Sequence, residues 1–424
     1  MTVTKNFKDQ NKEISYKNPS DKKCIWYISK YVCPDGYDGT GTRGFSIMKN
    51  VSIQHYESVI ISSDSNHCIK PPVFSSYSFV ENIKGVNFHW LKTYKYKKTN
   101  SIKRILSWID FEIKLFFYNK KDITKPDAII ISSLSLFTII NGIILKRKYN
   151  AKLIFEIRDI WPLTLIEEGN FSKYNPLIVL LGFIEKLGYK FSDIIIGTMP
   201  NLTEHVNNLG IDGQAFCIPM GIDEEKINDK TPLEEHFFNK YIPANKFIIA
   251  HLGSVGITNA LDHFLDCAES LRDYKDIHFL VVGVGDLLEN FKTKYDDYEN
   301  ITFAPRVEKK MVLSLLEFCD VAYFYSYESE VWKYGQSLNK VIDYMYSGTP
   351  IIASYSGYPS MINESQCGVF IDQKDLKILK ESILNFYKMD KKDLKNMGLS
   401  GKEWLTENRK YEKLASEYLD IIFK

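Results

Sequence analysis

An apolar run at 321–325 gives way to a polar loop, then to apolar residues at helical spacing, then to a second apolar run at 351–353. Within that stretch Val341, Ile342, Met345 and Tyr346 recur on one helix face. Asn339 is placed as the N-cap and Gly348 as the stop, and Pro350 bars continuation. A buried strand that feeds a helix and then another buried strand calls for a parallel sheet with helices on its faces. Ligands of such sheets sit at the carboxyl ends of the strands. There the loop gathers Gln336, Ser337, Asn339 and Lys340, with Asp343 one turn into the helix.

The alternation recurs along the chain. Strand-like runs stand at 24–28, 59–61, 128–131, 153–157, 193–198, 247–252 and 278–282, most of them followed by a glycine or polar break and a helical pattern. At 424 residues one core is too few, and an α/β chain with two doubly wound, Rossmann-like domains facing across a cleft is expected. Residues 128–145 hold no charge and precede Lys146-Arg147-Lys148, which suggests a membrane span by length. Ser132, Ser133, Thr138, Asn141 and Gly142 interrupt it, so a buried strand feeding a helix is the better reading.

Charge is divided between the halves. Residues 1–200 hold 29 Lys and Arg against 18 Asp and Glu, whereas residues 201–424 hold 25 against 35. A basic half suits an anionic partner such as phosphates or a membrane surface. Nine basic residues fall in 92–121, among Ile102, Ile105, Leu106, Ile109, Ile113 and Phe116, which share a helical face. Such a helix either lies on an anionic membrane or packs on a core. No nucleic-acid-binding module accompanies the charge. Seven cysteines without paired spacing and a polar residue 1–21 segment with no apolar core point to a reducing, cytoplasmic compartment.

Three further stretches collect groups that bind anions or line clefts. The first strand leads to Gly39, Gly41 and Arg43 at a helix start, and 247–252 leads to Gly253, Ser254 and Gly256. Both present backbone N–H groups to an anion. Arg43 is either an anion contact or a solvated helix residue. The third stretch is Glu156-Ile157-Arg158-Asp159-Ile160-Trp161-Pro162, charged side chains at a strand's end that line a cleft or pair internally. His278–Asp286 contains Gly283 and Gly285 but lacks the third glycine of a dinucleotide fingerprint, which argues against a dehydrogenase. No Asp-x-Asp occurs and the eight histidines lack metal spacing, so no divalent cation or other cofactor is implied.

Asp343-Tyr344-Met345-Tyr346-Ser347-Gly348-Thr349-Pro350 resembles the acidic signature of family-4 glycosyltransferases, where two glutamates eight positions apart run into a helix ending Ala-Met-Ala-x-Gly-x-Pro. Asp343 falls on the second acid, while Gly335 stands where the first would be. Gly335-x-Ser337-x-Asn339-Lys340 and Arg158-Asp159-x-Trp161-Pro162 resemble a subgroup that makes bacterial O-antigen, capsule or colanic acid. The likeness runs from about residue 24 to 424. It implies the two-Rossmann GT-B arrangement, with a mobile tail at 1–21, an acceptor-side domain at 22–218, a linker at 219–245, a nucleotide-sugar domain at 246–402, and a final helix at 403–424 returning to the first domain. It also implies retaining transfer of a sugar from a nucleotide diphosphate, UDP-linked by expectation, to a lipid-linked or saccharide acceptor at the cytoplasmic membrane surface. Gly39, Gly41, Gly253, Ser254, Gly256 and Lys340 would meet the diphosphate, with Lys340 compensating for Ser254 and Asn259 where relatives carry Arg and Lys. Arg306 and Val307 would hold the base, Asp343 the ribose, and Gln336, Ser337 and Asn339 the phosphate or sugar. Arg43 and Glu156 fall on the acceptor side, and Arg158 and Asp159 join Lys340 as catalytic candidates. A non-catalytic partner subunit, suggested by the missing first acid, and a nucleotide-sugar 2-epimerase remain alternatives.

Overall fold

The computed structural model describes residues 22–37, 42–66, 70–96, 101–133, 135–225, 230–256, 259–336, 338–355, 357–358, 360–371 and 375–424. The residue 1–21 tail, Gly39, Gly41 and Ser337 therefore lie outside the described residues. Strands β1 (Cys24–Ile28), β2 (Glu57–Ser63), β3 (Ser78–Ile83), β4 (Val86–Leu91), β5 (Ala128–Ser132), β6 (Lys152–Ile157), β7 (Ile194–Gly197) and β8 (Ala215–Cys217) form the first sheet. Their order is β3-β4-β2-β1-β5-β6-β7-β8, parallel except for the β3–β4 hairpin at one edge. The second sheet is parallel throughout. It comprises β9 (Phe247–Ser254), β10 (Ile277–Val284), β11 (Ile301–Ala304), β12 (Val321–Tyr325), β13 (Ile351–Ser354) and β14 (Gly368–Phe370), ordered β11-β10-β9-β12-β13-β14. Strand order reverses between β1 and β5 and between β9 and β12, so each domain has its ligand crevice beyond those strand ends.

The central strands are buried on both faces, which is why β1, β5 and β12 read as unbroken apolar runs. The charge-free stretch 128–145 is β5 followed by the helix Thr138–Tyr149, and no described helix is long and apolar enough to cross a membrane. The helix Asn339–Ser347 forms where its periodicity places it and ends on Gly348, whose positive φ of 75° suits the left-handed C-terminal position. Its N-cap is Leu338, not Asn339. Asn339 is the first helical residue, and no side chain caps the helix start. Gly283 and Gly285 have a packing reason: a Cβ on either would lie about 2 Å from the carbonyl oxygens of Gly253 and Val255.

The segment read as a linker is partly structured. The helix Glu235–Tyr241 lies within it, and Leu233, Phe237 and Tyr241 pack on the second domain's core. The chain crosses between domains at 218–223 and again at 409–411, and the crossings bond to each other through Ile222 N–H to Arg409 O (2.7 Å) and Tyr411 N–H to Ile222 O (3.1 Å). Residue 403 falls inside the helix Lys391–Asn408, which packs on Asn339–Ser347 in the second domain. The final helix, Tyr411–Phe423, lies against Arg43–Ile53 of the first.

Candidate active site

At the second crevice, Gly253 and Ser254 end β9, and Gly253 has a φ of 145° that a side chain would strain. Lys340, in the first turn of Asn339–Ser347, folds back over this turn. A Cβ on Gly253 would lie 3.8 Å from its Nζ. The ammonium donates to Asn259 Oδ1 and lies 5.5 Å from the centre of the Phe324 ring. Burial lowers its pKa to about 8. Beneath it His251 is fully buried and kept neutral, its pKa lowered to about 3 by desolvation and then by the Lys340 charge. The ring nitrogens face the backbone of Ser254 and Tyr323 without a hydrogen bond of full geometry.

One turn on, Asp343 pairs with Lys309, which follows Arg306 and Val307 after β11. Desolvation raises the Asp343 carboxyl and Lys309 opposes that shift. Val307 packs on the core beside the helix, whereas Arg306 and Asn339 are exposed. Gln336 has a buried amide next to the Tyr355 hydroxyl, without a hydrogen bond of full geometry. The structure thus gathers Gly253, Ser254, Asn259 and Lys340 on one side of a helix start, and Asp343 with Lys309 on the other.

The first domain rearranges two expectations. Arg43 is neither an anion contact nor solvated, and Glu156 does not face an acceptor, because both side chains are fully buried and paired. Glu156 also accepts from Tyr27 Oη (2.5 Å) and Tyr418 Oη (3.0 Å). Arg43 donates further to the carbonyls of Ile218 (2.6 Å) and Pro219 (3.1 Å). Burial would raise Glu156, but the Arg43 guanidinium, the Tyr27 hydroxyl and the Arg158 charge together outweigh it and hold the carboxyl below its ordinary value. One ion pair therefore fastens the first helix, β6, the outgoing crossing and the final helix.

Arg158 and Asp159 stand beyond the end of β6, tied to β5 by Ser133 Oγ, which accepts from Arg158 N–H (3.0 Å). Asp159 is open to solvent at its surface yet enclosed on its other sides; desolvation raises its carboxyl and Arg158 pulls it back. Glu168 nearby is raised by desolvation and then by Asp159. Among the described residues no hydrogen bond or ion pair joins Arg158 or Asp159 to Lys340. Lys309, Tyr27 and Tyr418 were not singled out from the sequence. A tyrosine inside the apolar run of β1 was the one available signal.

Residues 246–389, about a third of the chain, match the family model described as glycosyl transferases group 1, a match that supports a transferase enzyme. The whole chain has the GT-B fold. It superimposes on a structure of trehalose-6-phosphate from E. coli bound with UDP-2-fluoro glucose at 11% identity and a TM-score of 0.70, covering 95% of this chain and 99% of that one. It is similar to sucrose-phosphate synthase from Thermosynechococcus elongatus at 14% identity and a TM-score of 0.66, with 94% and 98% covered. It is also similar to WaaG, a glycosyltransferase involved in lipopolysaccharide biosynthesis, at 12% identity and a TM-score of 0.60, with 94% and 99% covered. No curated protein matches the chain.

Proposed function

We propose that this chain is a retaining hexosyltransferase that moves a sugar from a UDP-linked donor to a lipid-linked or saccharide acceptor in bacterial surface polysaccharide synthesis. The observation that carries the donor reading is Lys340, a single cation held over the Gly253–Ser254 turn by a helix start. A leaving diphosphate needs preorganised positive charge, and this cradle supplies an ammonium with backbone N–H groups. Asp343 would accept from ribose hydroxyls once Lys309 yields, and 306–309 would border the base. UDP-2-fluoro glucose in the E. coli neighbour supports a uridine donor. No general base is required if the departing phosphate oxygen takes the acceptor proton. Asp159, with its raised carboxyl, is the candidate if one acts. Closure of the domains would exclude water, which otherwise turns transfer into hydrolysis.

The acceptor side is proposed to rest on the inner face of the cytoplasmic membrane. Helices Ile102–Phe117, Thr138–Tyr149 and Pro176–Phe191 share one apolar core, yet also turn Ile102, Leu106, Ile109, Ile113, Phe116, Ile140, Ile144, Val179, Leu180 and Phe183 to solvent. Exposed Lys103, Arg147, Lys148, Lys173, Lys186 and Lys190 stand on the same three helices and their approaches. Apolar insertion with a basic rim suits an anionic leaflet.

Saturation-transfer NMR against a panel of nucleotide sugars tests the donor. Transfer from uridine-diphosphate sugars is the expected signal, and a response to none of the panel would overturn the reading. Transfer should also survive prolonged EDTA treatment, since no metal is proposed. Loss with rescue by magnesium or manganese would refute that part.

A further inference from the structure

Between β12 and the Lys340 helix the chain leaves its own domain. A 3-10 turn, Glu330–Tyr334, pushes Tyr334 into the core of the first domain, where it is 6% exposed and shares a cluster with Met199, Leu202 and Val206. Its ring meets His205 edge-on, with centroids 5.1 Å apart. His205 is itself held by buried Glu185 (2.9 Å). The backbone is fastened as well. Asn201 N–H donates to Tyr334 O (3.0 Å), Asn201 Nδ2 to Lys333 O (3.3 Å), and Glu330 N–H to Glu167 Oε2 (3.2 Å). Gly335 follows at a φ of 100°, and a Cβ there would lie 2.4 Å from Pro200 Cδ. The other end of the turn stays at home: Trp332 O accepts from Tyr358 N–H (2.9 Å), and the Trp332 indole N–H donates to Tyr327 O (3.1 Å).

We infer that Tyr334 is a positioning residue. Seated in the first domain, it holds the loop bearing Gln336, and with it the approach to the helix start bearing Lys340, at a fixed place relative to the domain opposite, so the donor-side groups and the acceptor side close as one unit. The inference rests on the reading of Lys340 as a donor contact. Gln336 lies two residues beyond the anchor, so a withdrawal of Tyr334 carries it along, and Lys340 follows in the first turn of the next helix. Withdrawal also exposes a large aromatic side chain and opens its pocket in the first domain, which makes the docked state the preferred one. The close fit of Gly335 on Pro200 gives a physical reason for the absent first acid, since no side chain fits there while the loop is docked.

The test compares the full chain with Tyr334→Phe, Tyr334→Ala and Gly335→Ala. Gly335→Ala acts from the loop side, so both domain cores stay intact. Uridine diphosphate affinity is measured by calorimetry, the radius of gyration by solution scattering, and transfer by labelled sugar incorporated into membrane lipid extract. The phenylalanine variant should match wild type. Both alanine variants should bind uridine diphosphate within about threefold of wild type, scatter with a larger radius, and lose transfer by roughly 100-fold in kcat at unchanged donor KM. An unchanged radius in the alanine variants overturns the inference, whether or not transfer is detected. So does a loss of uridine diphosphate binding as large as the loss of transfer, which would place Tyr334 in the fold of the second domain. If the wild type itself binds no uridine diphosphate, the donor reading fails separately, and the scattering comparison still decides the role of Tyr334.

Discussion

The buried pair of Arg43 and Glu156 has consequences that a surface pair would not. Two charges without solvent depend on each other, and removing one leaves the other desolvated, at a cost of about 3–5 kcal/mol. Glu156→Gln should destabilise by that order at neutral pH, read by denaturant unfolding. The sign with pH follows from the direction of the shift. The folded carboxyl lies below its unfolded value of 4.5, so its contribution is fully present above that pH and is lost as pH falls through the folded value. The gap between wild type and variant should narrow only below pH 4.5. A constant gap would mean that the carboxylate is not the source. The sequence showed Glu156 and Arg43 as polar residues near a cleft; their pairing depends on β1, β6 and the final helix converging, which no local pattern encodes. The strand–loop–helix unit that carries Lys340 and Asp343 was legible because its pattern is local in the sequence. Lys309 was not, because its partner lies in a different unit.

Among the elements, Ile102–Phe117 is the instructive one. Its sequence face of Ile102, Leu106, Ile109, Ile113 and Phe116 suited either a membrane surface or a core, and these residues are 45–76% exposed. Ser107, Trp108, Phe111 and Leu115 are buried in their place. Two apolar faces on one helix blur the periodicity, so the pattern gives the helix without saying which face is inward. Replacing Leu106, Ile109 and Ile113 by serine should leave unfolding stability within about 0.5 kcal/mol per site, as expected of exposed positions. The same variant should float less with anionic vesicles, at low and high salt alike, because its loss is apolar. Equal flotation would remove this face from any membrane contact. The β3–β4 hairpin was missed because it is an edge pair whose β3 is largely exposed, without the dense apolar run of the central strands.

At the scale of the molecule, strand–helix alternation made two α/β domains readable, because parallel strands buried on both faces announce themselves. The connections were less readable. The segment 224–245 is rich in Lys and Glu, and this composition hid Phe237 and Tyr241, which pin its helix to the second domain. The return crossing at 409–411 is set by pairing with the outgoing one, a contact nearly 190 residues apart in sequence. These crossings, the Arg43 clamp and the seated Tyr334 together join a basic first half to an acidic second half.

The measurement that bears most directly on the proposed donor site is calorimetry of uridine diphosphate and uridine with wild type and Lys340→Ala. Burial alone has lowered the Lys340 ammonium to about 8, and a bound diphosphate favours its charged form. Wild-type binding of the diphosphate should therefore take up protons near pH 8 and weaken as pH rises beyond it. Lys340→Ala should lose on the order of 2–3 kcal/mol for uridine diphosphate while binding uridine as before. Equal losses for both ligands, or no loss for either, would contradict a diphosphate cradle built around Lys340.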